Sequence, residues 1–185
     1  MRLITLAGLV GLAMWAGNLP AGADDSTAAQ KERNGGYYLF HQLCEQEADV
    51  DMIMLFKNAP PEIGQYTKEL AALAHESLDT LDAFQSKDKS INFDVSPLPP
   101  IEEEVRAAIK ADKQHQLLFG TTGPAFSRAL VVAQIEATMY AKRLASVLAT
   151  HVTSEHQRTA LDKLSGKWDR LLNKGYALLG SSATR

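Results

Sequence analysis

Four polar residues combine the side-chain types and the helical spacing that a metal ion requires. Asp112 and His115 are three residues apart on the apolar face of one predicted helix, and Glu47 and Asp51 are one turn apart on that of another. A buried carboxylate is costly unless it is paired or binds a metal. Carboxylate and imidazole ligands together suit iron, zinc or copper. All four residues are therefore candidate metal ligands.

Two simpler interpretations of these residues remain open, and the sequence favours the first. The four could lie in water at the ends of the helices or pair with Arg128 or Arg143. They could also form a buried polar network that fixes the register of the helices. A helical wheel shifted by one residue would move Asp51 or Asp112 to the rim of the core. No cofactor is therefore predicted, and a metal ion is the alternative.

The residue types needed for catalysis do not form a recognisable set. Cys44 is the only cysteine, so an intramolecular disulfide and a C-x-x-C-H haem attachment are excluded. It shares the apolar face of the first predicted helix with Phe40, where a free cysteine is usually a small hydrophobic residue. No G-x-S-x-G or H-E-x-x-H motif occurs in the sequence. These features favour a non-catalytic protein but do not decide whether it is an enzyme.

The N-terminal residues have the pattern of a secretory signal peptide. Met1-Arg2 precedes an apolar stretch, residues 3–17, that is too short to cross a bilayer as a helix. Pro20 and the tripeptide Ala21-Gly22-Ala23 follow. The sequence therefore predicts a signal peptide over residues 1–23, cleaved near Ala23. The mature protein is expected to be periplasmic or secreted and to have no transmembrane segment.

The composition is that of an ordinary globular domain. Hydrophobic residues make up 45% of the chain, charged residues 22%, and the net charge is −3. Without a basic excess, nucleic-acid binding is not expected. Residues 24–35 are polar and have no periodicity, which predicts a flexible leader, and the length predicts one domain over residues 36–182.

Apolar residues recur with helical spacing, and no stretch has the alternation of a β-strand. The fold class predicted is all-α, an up-and-down bundle of four or five helices. The long connection, residues 86–100, contains three prolines and apolar residues expected to hold it along the bundle. The predicted helices run from Gly36 to about Asn58, from the Pro60-Pro61 pair to about Phe84, from Ile101 to about Phe119, from Ala125 to about His151, and from a capping residue, Thr153 or Ser154, to Gly180.

Two segments resemble the secreted bacterial ferritin-like helical bundles of unknown function. One runs from Phe40 to Phe84 and is broken by Ala59-Pro60-Pro61-Glu62-Ile63, and the other contains Gly120 and Phe126-x-x-Ala129-Leu130. The resemblance implies a ferritin-like bundle. The Asp-His dipeptides that this family often carries are replaced by Leu73-Ala74 and Ala137-Thr138. The resemblance therefore implies the fold and not a metal chemistry.

The function expected from these features is a non-catalytic helical bundle that binds a partner protein or a small ligand in the cell envelope. The expected contact surface is the connection from Ser86 to Pro100. The alternative is a degenerate ferritin-like bundle that binds a metal ion or has a redox role.

Overall fold

The computed structural model describes residues 24–182, and no β-strand occurs in that range. The predicted signal peptide, residues 1–23, lies outside the described residues. A 3₁₀-helix over Val50–Leu55 follows the first helix, and a π-helical turn over Gln116–Gly120 extends the third. The helices are α1 (Asp24–Glu47), α2 (Pro61–Lys87), α3 (Pro100–His115), α4 (Gly123–His151) and α5 (Glu155–Ser182).

Helices that pack against each other run antiparallel, and the predicted all-α bundle is confirmed. Helix α1 packs against α2 and α4, and α5 packs against the same two helices, so these four form a four-sided core. Helix α3 lies outside this core and belongs to the long connection from α2 to α4. The antiparallel order follows from contacts between Tyr37 and Phe84, Cys44 and Ser77, Glu69 and Lys174, Glu76 and Lys167, Lys113 and Glu136, Arg106 and Tyr140, and Lys142 and Asp169.

Prolines and a serine cap begin the helices where the sequence indicates. Pro61, Pro100 and Pro124 each lie in the first turn of a helix, where a missing backbone N–H costs no hydrogen bond. At the start of α5 the backbone N–H of Gln157 donates to Ser154 Oγ at 3.4 Å, as predicted for a capping residue.

Residues 24–35, expected to be a flexible leader, are instead the first half of α1. The Asn34 side-chain amide donates to the backbone carbonyl oxygen of Ser90 at 2.9 Å, and the Gln30 amide donates to the same oxygen at 3.3 Å. These polar contacts attach α1 to the connection after α2. A search for apolar spacing cannot detect them, which explains the error.

The first helix ends at Glu47, not near Asn58 as predicted. Asp51 therefore belongs to the 3₁₀-helix, one element beyond Glu47. Acidic residues near the C-terminus of a helix oppose its dipole, and aspartate and valine favour a helix weakly. The run from Glu45 to Asp51 contains four acidic residues, which favours an early end to α1.

The connection between α2 and α3 is held against the bundle, as predicted, by two of its apolar residues. Ile91 and Phe93 are buried, whereas Val95 is exposed. The ring of Phe93 stacks on His41 with a centroid distance of 4.7 Å. Because its largest apolar side chain is buried, the connection exposes little apolar surface apart from Val95.

Gly175 allows α5 to approach α2 and α4 closely. A Cβ atom at this position would lie 2.7 Å from the Tyr66 hydroxyl oxygen and 2.9 Å from Ile135 Cγ1. We expect Gly175→Ala to lower the free energy of unfolding by about 1–3 kcal/mol, because a rigid ring and a β-branched side chain must move. Gly166→Ala in the same helix is the matched control, since the nearest atom to its Cβ would be 4.0 Å away.

The control substitution should raise the free energy of unfolding by about 0.5–1 kcal/mol, because alanine favours a helix more than glycine does. Urea denaturation of both variants measures the difference. Equal stabilisation by the two substitutions would show that α5 does not approach Tyr66 closely.

Candidate functional site

A buried polar cluster joins α1, α2 and α4 inside the core. The Glu47 carboxylate at the end of α1 lies beside the Gln134 side chain of α4, and its Oε2 atom is buried without a hydrogen bond. Burial raises the pKa of Glu47 to about 7, although Gln134 and the positive charges of Lys113 and Lys110 act in the opposite direction. This carboxyl group therefore titrates near neutral pH.

The Tyr66 hydroxyl of α2 belongs to the same cluster. It is buried beside Thr138 of α4 but makes no hydrogen bond of normal length and angle. The Thr138 hydroxyl instead donates to the backbone carbonyl oxygen of Gln134 at 2.6 Å. Burial raises the pKa of Tyr66 to about 12, with Glu47 adding to the effect. The Tyr66 hydroxyl is therefore neutral and can accept or donate one more hydrogen bond.

Cys44 lies one turn before Glu47 on α1 and contacts a second small polar group. The Trp168 indole N–H donates to Ser77 Oγ at 3.2 Å, and Ser77 Oγ donates to the Leu73 carbonyl oxygen at 2.8 Å. Burial raises the pKa of the Cys44 thiol to about 12, while Ser77 lowers it in part. Because the thiolate is the nucleophile, the protonated thiol behaves as a small core residue.

The four predicted metal ligands are separated in the structure. Glu47 is in the buried cluster and Asp51 is half-buried in the 3₁₀-helix, whereas Asp112 and His115 are exposed on α3. The His115 ring contacts Phe119, with a centroid distance of 5.4 Å. Within residues 24–182, no three His, Cys, Asp or Glu side chains are placed to hold one metal ion. The predicted ligands are thus not brought into a common site.

The concave surfaces of the described chain are shallow and lie away from the buried cluster. One depression of about 400 Å³ lies between α1 and the connection after α2, with Gln30, Asn34 and Pro97 in its wall. Another of about 440 Å³ lies between α2 and α5, beside Glu69 and Lys174. A site for a small ligand is usually largely enclosed, which neither depression is.

The apolar face of α3 is the largest departure from the sequence prediction. Every residue of α3 except Glu102 is exposed, although the helix has the apolar spacing of a core helix. Ile101 is 73% exposed, Val105 47% and Ile109 49%. Phe119, in the turn that follows, is 75% exposed. This face has no partner within the described chain.

Helix α3 contacts the bundle through its polar side. The Lys113 ammonium group forms an ion pair with Glu136 of α4, and Arg106 lies beside the Tyr140 hydroxyl. At about 100° per residue, these basic residues lie about 80–140° around the helix axis from Ile101 and Val105, and about 40–60° from Ile109. An amphipathic helix normally packs its apolar side on the core. In this chain that side faces away.

The contact of α3 with the bundle is reinforced at its C-terminal end. The Lys57 ammonium group donates to the Thr121 carbonyl oxygen at 2.9 Å and lies 5.6 Å from the centre of the Phe126 ring. Leu117 packs partly buried against the core residues of α4. The turn from α3 into α4 is thus held in place. It fixes the position at which α4 begins to run back along α3.

The fold and these sites define an all-α helical bundle with one amphipathic helix outside its core. No protein-family model, no curated protein and no solved structure matches the chain. Among the described residues, no helix is both long enough and apolar enough to cross a membrane.

Proposed function

We propose that the protein is a non-catalytic helical bundle that binds another protein through the apolar face of α3. The single observation that carries this proposal is the exposure of that face. Contiguous exposed apolar surface on a soluble domain usually marks an interaction site. Helices that present residues at i, i+4 and i+8, as Ile101, Val105 and Ile109 do, are recognised by protein grooves and by other helices.

The shape and charge of α3 favour a protein over a small ligand or a membrane. Its exposed face is convex, whereas a small ligand needs an enclosing pocket. A helix that lies on a membrane surface is typically rich in lysine and arginine on its polar side. Helix α3 instead carries Glu102, Glu103, Glu104 and Asp112, against three basic residues. Anionic lipid would be repelled by that acidic first turn.

The buried groups of the core support a structural role and not a catalytic one. The Cys44 thiol is protonated and enclosed, and the Glu47 carboxyl lies far from both surface depressions. The N-terminal sequence pattern supports export, so the proposed partner is a protein of the cell envelope. The single long connection between two helical pairs supports a ferritin-like connectivity.

Photocrosslinking in the source cells tests the proposal. A photoreactive amino acid at Val105 should give discrete crosslinked protein bands, because Val105 lies in the centre of the exposed face. The same amino acid at Val147, an exposed position on α4, is the matched control. Crosslinking to protein at Val105 and not at Val147 supports the proposal. Equal yields at both positions, or crosslinks to lipid alone, would count against it.

A further inference from the structure

The charges of α3 are divided along its length. Its first half carries Glu102, Glu103 and Glu104 with Arg106, and its second half carries Lys110 and Lys113 with Asp112, so the first half has a net negative charge and the second a net positive one. Two such helices placed antiparallel bring the acidic turn of each beside the basic half of the other. A parallel arrangement would bring like charges together. In the same antiparallel arrangement the dipoles of the two helices point in opposite directions, which is favourable.

We propose that the partner of α3 is a second copy of this chain, with the two α3 helices packed antiparallel about a twofold axis. This inference rests on the proposed function, since it identifies the protein that covers the apolar face. A twofold interface uses the same patch on both subunits, so the patch must be complementary to itself. The division of charge along α3 satisfies that condition.

The proposed register places the twofold axis near the middle of the apolar face of α3, beside Ala108 and Ile109. Placing Ala108 opposite Ile109 of the second copy puts Val105 opposite Asp112 and Ile101 opposite Gln116. Each apolar residue then lies within one turn of an apolar residue of the other helix. Asp112 is the one charge in this seam. A polar residue in a helix seam costs stability but selects one register over the others.

The flanking positions are complementary in the same register. Under a twofold axis, each flank of one helix meets the same flank of the other. Glu104 then faces His115 of the second copy on one side, and Glu102 faces Lys113 of the second copy on the other. Glu104 and His115 are exposed and make no ion pair with another residue in the described range 24–182. Glu104 and His115 are therefore better suited to substitution than Glu102 and Lys113, which form ion pairs with Arg106 and Glu136.

The length of α3 indicates how tight this dimer is. A helix of 16 residues is about 24 Å long. One helix pair of that size buries less than the ~800 Å² per partner of a standard interface, so we expect a dissociation constant on the order of 1–100 μM. The equilibrium should therefore be visible in purified protein across accessible concentrations.

Sedimentation velocity of the purified protein tests this inference. We expect wild type to pass from monomer to dimer as its concentration rises. Val105→Asp should weaken the dimer by about tenfold or more, because a charge enters the apolar seam without a partner. Val147→Asp makes the same change at an exposed valine of α4 and should leave the dimer unchanged.

Charge reversal tests the register. Glu104→Lys and His115→Glu should each weaken the dimer by about threefold to tenfold, since each interface contains two symmetry-related pairs. The two changes in one chain should restore the dimer, because the introduced lysine of each copy then faces the introduced glutamate of the other. Circular dichroism confirms that each exposed-site variant is folded.

The outcomes separate the two proposals. A wild type that stays monomeric at ~1 mM, or a dimer unaffected by Val105→Asp, overturns the second-copy inference. If photocrosslinking at Val105 then still captures a different protein, the proposed function stands and only the identity of the partner changes. If Val105 also captures no protein, both proposals are wrong. Restoration by the double reversal supports both.

Discussion

Trp168→Ala is expected to lower the free energy of unfolding by about 3–5 kcal/mol, the usual range for deleting a large buried aromatic side chain. Trp168 is completely buried and joins the main core cluster on the inner face of α5. Its removal also leaves the Ser77 hydroxyl without the indole N–H that donates to it at 3.2 Å. The apolar spacing of Leu164, Trp168 and Leu171 predicts this burial, and the structure confirms it.

Two further variants make the measurement specific. Trp168→Phe keeps much of the volume but loses the hydrogen bond to Ser77, and it should cost less than the alanine change. Tyr176→Ala removes a half-exposed aromatic side chain from the same helix and should change stability by about 0.5 kcal/mol or less. Chemical denaturation of all three provides the comparison. A loss below about 1 kcal/mol for Trp168→Ala would contradict the orientation of α5.

Glu47→Gln is expected to make the protein more stable than wild type above pH 7. The pKa of Glu47 is raised from 4.5 to about 7, so the folded state holds a proton that the unfolded state releases. The stability that this proton provides is complete below pH 4.5. It is lost as the pH rises through 7, and the loss is on the order of 3 kcal/mol.

Glutamine cannot ionise, so the variant should lack this fall in stability between pH 4.5 and 7. Urea denaturation across that range, for wild type and variant, measures the difference. Glu103→Gln changes an exposed carboxylate on α3 and should leave the shape of the wild-type pH profile intact. Parallel profiles for wild type and Glu47→Gln would show that Glu47 is solvated and not buried.

The sequence was sufficient to predict α2 to α5 to within a few residues, because the physics that defines their ends is local. Apolar spacing, prolines in first turns and the Ser154 cap act within a few residues, and each is visible in the chain. The leader was wrong because the contacts of Gln30 and Asn34 join residues more than fifty positions apart. No local pattern encodes such a contact.

The orientation of α4 shows a second limit of apolar spacing. The apolar spacing of this helix places Tyr140 and Val147 on the side of the core, yet both are exposed, while Gln134 and Thr138 are buried. The predicted inner face of α4 was chosen by hydrophobicity, whereas the observed inner face carries polar groups of the Glu47 cluster. Glu47 was correctly placed on an inward face. The burial of Gln134 was missed because a side-chain amide is polar, and a polar residue is predicted to be exposed unless its hydrogen-bonding neighbour is known.

The exposed face of α3 could not be predicted, because amphipathic spacing identifies the side that avoids water but not what covers it. Asp112 and His115 do lie along that side, as their spacing indicated. The core is completed by four other helices, so the apolar side of α3 is not used there. Whether a helix joins its own core depends on the space available, which is a property of the whole fold.

The position of α3 outside the core also determines how the folded state opens. Few apolar side chains of α3 are buried, so releasing it from the bundle exposes little new hydrophobic surface. The four core helices, by contrast, share buried residues and must separate together. We therefore expect helix α3 to open as a unit of its own at a low free energy, with its backbone amides exchanging with solvent without global unfolding. Such a unit can change its packing while the core stays intact.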